Sequence, residues 1–102
     1  IFKAMDANTK GIKGVRRALE ALFRGDIEVA LGAADEVERI EELVDDYFSE
    51  MTAIIYSGEV SKRGYSDLGI HTIVEAIENI ADACENACDE IRVAAVSFSK
   101  EE

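Results

Sequence analysis

No proline occurs anywhere in the 102 residues. Proline is the strongest helix breaker, so nothing in this chain stops helices from running far beyond the usual three or four turns. Breaks must come from glycine and short polar runs. The first is the stretch FRGDI, residues 23–27, where Gly25 suits a helix C-terminus and Asp26 suits the N-cap of the next helix. The tripeptide Arg24-Gly25-Asp26 is accordingly read as a tight helix–helix turn and not as an adhesion motif. The second break is YSGEVSKRGYSDL, residues 56–68, in which Ser66 or Asp67 is placed to cap a last helix. Helices are predicted near 3–24, 27–56 and 67–98.

Each predicted helix carries apolar residues at alternating spacings of three and four, the mark of a buried stripe. In the first these are Met5, Ile12, Val15, Leu19 and Leu22, with Gly11 and Gly14 weakening the helix by about 1 kcal/mol each relative to alanine. In the second they are Ile27, Ala30, Ala34, Val37, Val44, Phe48, Met51 and Ile55. In the third they are Ile70, Ile73, Ile77, Ile80, Cys84, Ala87, Ile91, Ala94 and Phe98. A two-residue turn makes the first two helices antiparallel neighbours. The fold class expected is all-α: an elongated up-down-up antiparallel three-helix bundle, residues 1–102 forming one domain.

The formal net charge of -11 argues against nucleic-acid binding and against broad contact with anionic lipid. The charge is unevenly spread. Residues 1–24 hold six bases against two acids, a balance of +4, whereas residues 25–102 hold five bases against twenty acids, a balance of -15. Two readings of the basic first helix stand open: neutralisation within the bundle, or a docking surface. No run of eighteen apolar residues and no leader-like segment is seen, so a cytoplasmic location is expected, peripheral to a membrane at most. Cys84 and Cys88, one turn apart, cannot easily pair and lack further ligands for zinc. They read as small buried apolar residues.

The carboxylates carry the strongest pattern. His71, Glu75, Glu78, Asp82, Glu85 and Asp89 recur at spacings 4, 3, 4, 3, 4, which sets them in one row along the third helix. Asp35, Glu38, Glu42 and Asp45 form a matching row on the second. Beside it Glu41 takes a position the apolar stripe would give to a hydrophobic side chain, and a carboxylate there must be paired, protonated or bound to a cation. The same Glu-x-x-x-Asp motif occurs in both rows, as Glu41/Asp45 and as Glu78/Asp82. Each pair is close enough to share a hard cation such as magnesium, calcium, manganese or iron. A buried di-iron bundle needs Glu-x-x-His, which the single histidine, His71, does not supply. No nucleophile–base pair and no glycine-rich phosphate loop is present, so no enzymatic activity is expected.

The segments IEELVD at 40–45, SDL at 66–68 and IVEAIENIADACENACDEI at 73–91 resemble a PhoU-type domain. Within the last, Glu78, Asp82 and Asn86 match a family pattern of Glu, Asp and Asn at four-residue steps. The spacing from Asp67 to Glu78 is similar to that of the PhoU-related branch encoded beside phosphate permeases. The resemblance implies a three-helix repeat and a regulatory or accessory role in phosphate uptake, acting on a transporter or an associated sensor protein. It also implies metal ions, divalent or ferric and with iron foremost, on Glu41, Asp45, Glu78 and Asp82, with Glu38 and Asp89 as further ligands. Two departures from the family pattern stand out: Ala83 occupies a place where histidine is frequent, and one repeat is present where two are usual. The second implies a homodimer or a partner repeat. The alternative reading is a helical interaction module, appended to a channel or receptor, whose acidic rows are solvated surface.

Overall fold

The computed structural model describes the backbone of residues 1–101 and the side chains of residues 1–97. It is all-α, with α1 over Phe2–Phe23, α2 over Ile27–Tyr56, α3 over Glu59–Lys62 and α4 over Asp67–Glu101. The count of three helices is thus corrected to four. α3 is a single turn inside the polar stretch between α2 and α4, bracketed by Gly58 and Gly64, both at positive φ. Burial of Val60, the one aliphatic residue of that stretch, accounts for it: the turn tucks this side chain under the end of the molecule, leaving it 8% exposed.

The helix ends obey local chemistry. After α1 the amide of Gly25 (φ 77) donates to Leu22 O and that of Asp26 to Ala21 O, the two bonds of a Schellman cap. The same pair closes α3, from Gly64 to Ser61 and from Tyr65 to Val60. Asp26 occupies the N-cap position of α2 without a side-chain hydrogen bond. At the start of α4, Ser66 Oγ accepts from the amide of Gly69, so Ser66 does the capping and Asp67 is already helical.

The molecule measures 60 × 17 × 16 Å. Contacts fix how the long helices run. Arg17 meets Glu36, Gly14 meets Val37 and Gly11 meets Ile40, so α1 and α2 run in opposite directions. Arg92 meets Glu38 while His71 meets Phe48, so α4 opposes α2. The core is layered along this length: Ala7, Val44 and Ala81; then Ala34, Val37, Cys84 and Cys88; then Ala18, Ala33 and Ile91. Asn8, almost fully buried, donates to Ile77 O at 2.8 Å and pins α1 to α4.

The buried stripe of α2 follows the pattern expected of it, with Ala30, Ala34, Val37, Val44 and Ile55 all inside. That of α1 does not. Ala4, Ala7, Gly11, Gly14, Ala18 and Ala21 face the core; of the expected stripe only Val15 and Leu22 pack against it, while Met5, Ile12 and Leu19 are 47%, 54% and 38% exposed. The reason is close approach: a Cβ on Gly14 would stand 2.6 Å from Val37 Cγ2, so only small residues let α1 seat against α2. On α4 the buried line is Val74, Ala81, Cys84, Cys88, Ile91 and Ala95, whereas Ile73, Ile80 and Ala94 of the expected stripe are exposed. Phe98, expected to end it, lies outside the described side chains. The two cysteines are buried and unbridged, as their sequence context suggests.

Candidate functional site: an inter-helix carboxylate row

α2 and α4 meet along a face that combines core residues and acids. Between Val37 and Val44 the heptad register of α2 aims position 41 toward α4, and that position holds glutamate. Across the interface the helix turns next to buried Ala81 and Cys84 carry Glu78, Asp82 and Glu85. Glu41, Glu78 and Glu85 are half-buried, and Asp45 and Asp82 lie at the solvent edge.

The electrostatics of this group follow from crowding. The Glu41 carboxyl is pushed up to about 7, first by loss of solvent, then by a hydrogen bond to the Glu85 carboxyl group and by repulsion from Glu85, Asp82 and Asp45. Glu78 is raised in the same sense, by loss of solvent and then by Asp82, Asp45 and Glu75. Asp45 and Asp82 therefore act on a glutamate of the opposite helix, which places Glu41, Asp45, Glu78 and Asp82 in one electrostatic group. No lysine or arginine pairs with any of them among the described residues.

Glu38 and Asp89 belong to a different arrangement. The guanidinium of Arg92 donates to Asp35 and Glu38 on α2 at 2.8 Å each and to Asp89 on its own helix at 3.1 Å. These acids already share a cation of the protein, which the Glu41 group lacks among the described residues. At the other end His71 approaches Glu75 at 3.6 Å and sets its ring edge-on to Phe48.

Two members of the site escape sequence reasoning. Glu85 is visible in the acidic row, but nothing in the sequence marks it as the partner of Glu41. Arg92 follows Asp89 by three residues and so continues the same row with opposite charge; that spacing is the signal that could have found it. As for the basic helix, Arg17 crosses to Glu36 at 2.9 Å and Arg16 pairs within α1 to Glu20, while Lys3, Lys10 and Lys13 make no ion pair among the described residues.

The donor set is all carboxylate oxygen, which suits hard cations and not zinc. Among the described residues no three such side chains converge closely enough to hold an ion in the conformation seen. Ion binding would therefore require rotation of the glutamates, which are long enough to allow it. No described helix is long and apolar enough to cross a membrane.

Comparison with curated proteins and with solved structures returned no match. A family profile described as the PhoU domain matches residues 9–91, a span that takes in most of α1, all of α2 and α3, and every carboxylate of the group on α4. The chain belongs to the PhoU domain family.

Proposed function

We propose that this domain is a non-catalytic regulatory or accessory module of phosphate uptake that binds metal ions through Glu41, Asp45, Glu78 and Asp82. The observation that supports it is the meeting of acids from α2 and α4 without a protein cation, directly beside a stretch where Arg92 bridges acids of both helices. A bound ion would bridge the Glu41 group as Arg92 bridges its neighbours, and would tie α2 to α4 at mid-length. Iron is the first candidate by family membership, and any hard divalent ion fits the oxygen set. In this reading the domain works in the cytoplasm, paired with a second three-helix unit in another copy or in a partner repeat. It acts on a phosphate transporter or its sensor protein.

The test is titration of chelator-treated protein with Mn2+ and Fe2+, followed by calorimetry, for the native sequence and for Asp45→Asn with Asp82→Asn. The native chain should bind stoichiometrically and the double variant should not, with helicity equal in both. Equal binding by the two would move the site elsewhere.

A second reading, a helical interaction module with no metal function, draws support from a separate observation. Large apolar side chains of α1 and α4 are left on the outside of the bundle. Binding that is weak and non-stoichiometric in the same titration would favour it.

A further inference from the structure

The excess of bases in the first helix finds a place on the side of α1 that faces α2. Lys10 and Arg17 of α1 and Arg39 of α2 line an open groove between the two helices. Its apolar members are Gly14, Ile40 and Leu43, the last 43% exposed. Glu36 is its one acid, and Arg17 already holds it at 2.9 Å. Three bases against one paired acid give the lining a balance of +2, in a chain whose net charge is -11. Lys10 and Arg39 make no ion pair among the described residues, although Asp6 and Glu42 stand one turn away from them at the rim. Asp35, also one turn from Arg39, is held by Arg92. Lys13, between Lys10 and Arg17 on the same flank of α1, adds a further cation. We infer that this groove is the docking site for an acidic amphipathic helix of another protein. Its carboxylates would lie against Lys10 and Arg39, and an apolar side chain on Ile40 and Leu43.

Shape and charge favour this occupant over other anions. An apolar floor between cationic walls is the complement of a helix whose acids flank an apolar stripe. A free phosphate would leave Ile40 and Leu43 uncovered. From Lys10 to Arg17 the distance along α1 is roughly 10 Å, or two turns. Beyond that stretch acids return, Asp6 and Asp46 at one end and Glu20 and Glu28 at the other. A nucleic-acid strand or an anionic bilayer would have to run over those acids, whereas two turns of a helix end before them. The acids at the α2–α4 contact lie on another side of a bundle 17 × 16 Å in cross-section, and salt screens charges over about 8 Å. The groove is also pre-organised, because its walls are the two helices locked together where Gly14 meets Val37.

Docking of this kind rests on the proposal that the domain acts on a partner protein, and it gives that partner's chemistry without involving the metal ligands. The experiment is fluorescence anisotropy of the whole chain with a labelled synthetic peptide of about 18 residues, long enough to form a helix. In one peptide glutamates flank a leucine stripe; in the other the same residues are scrambled. The native chain should bind the striped peptide saturably and the scrambled one at least about 10-fold more weakly. Lys10→Glu with Arg39→Glu should weaken binding at least about 30-fold. Lys62→Glu with Arg63→Glu makes the same change of net charge in and just after α3 and should leave binding unchanged. Should the first double variant lose helicity, Lys10→Gln with Arg39→Gln gives the same comparison. Absence of saturable binding, or equal weakening by the two charge-reversed proteins, overturns the assignment. So does tighter binding, through Lys10 and Arg39, of phosphatidylglycerol vesicles or of an RNA hairpin. A chain that takes up metal but ignores the peptide overturns the docking site alone, and one that binds the peptide but no metal leaves it standing.

Discussion

α2 makes two contacts along its length, and they are built on opposite chemistry. Toward α1 it meets a stripe of alanine and glycine so close that Val37 leaves no room for a Cβ on Gly14. Toward α4 it meets acids, with Arg92 clasping one stretch and the Glu41 group crowded in the next. The first contact is fixed by shape and tolerates almost no added volume. The second adds to its apolar layers, Val37 with Cys84 and Cys88 and Val44 with Ala81, a charge balance that protons, salt or ions can alter. A helix bundle with one rigid and one adjustable seam can respond to a ligand without losing its fold.

The largest effect should come from filling the rigid seam. Gly14→Val places branched carbon where Val37 already stands, and we expect a loss of about 2–3 kcal/mol in urea unfolding. Gly14→Ala should also destabilise, because the clash outweighs the gain in helix propensity. A Gly14→Ala protein as stable as the native one would show that α1 shifts freely, and the contrast between the two seams would fall.

On the adjustable side, Arg92→Ala releases Asp35, Glu38 and Asp89 from their common cation. The guanidinium is 26% exposed and its partners about half exposed, so screening limits the loss to about 1–2 kcal/mol. The loss should shrink in high salt, a dependence that Gly14 variants should lack.

Glu41 sharpens the comparison through pH. Its carboxyl is raised from 4.5 to about 7 in the native state. Between those values the unfolded chain has released the proton and the folded chain still holds it, so stability falls as pH rises through this window and levels off above it. Glu41→Gln should flatten that decline and be the more stable protein at pH 8, by about 1 kcal/mol once screening is allowed for. Thermal unfolding of both proteins from pH 4.5 to 8 reads the difference; parallel curves would mean that Glu41 is not crowded. The smallest effect is a control. Gly32 sits on the exposed side of α2, where an added methyl group would meet nothing within 4 Å, so Gly32→Ala should stabilise by about 0.5–1 kcal/mol through helix propensity alone.

Sequence periodicity locates the long helices well, because the glycine breaks and caps act within a few residues. The buried stripe of α2 is equally legible, since Ala30, Ala34, Val37, Val44 and Ile55 of the expected line are inside. That of α1 is not: Ile12 and Leu19 have the spacing of core residues, yet the core position belongs to Gly11, Gly14 and Ala18. Hydrophobicity alone cannot tell a stripe that packs within the chain from one left for another surface. Only the closeness of α1 to Val37 decides it, and that is a tertiary fact. Glu41 is legible as a charge in an apolar stripe, whereas finding its partner Glu85 requires knowing how α4 is rotated against α2. α3 escapes for a similar reason, its single turn depending on where Val60 can be buried.

The most direct test of metal binding by the Glu41 group is metal content by inductively coupled plasma mass spectrometry, on tag-free protein prepared without chelator, beside the Asp45→Asn/Asp82→Asn variant. Stoichiometric iron or another hard-ligand metal is expected in the native chain, with its loss in the variant. A native chain that carries no metal and takes up none when iron, manganese or magnesium is added would contradict metal binding at this site.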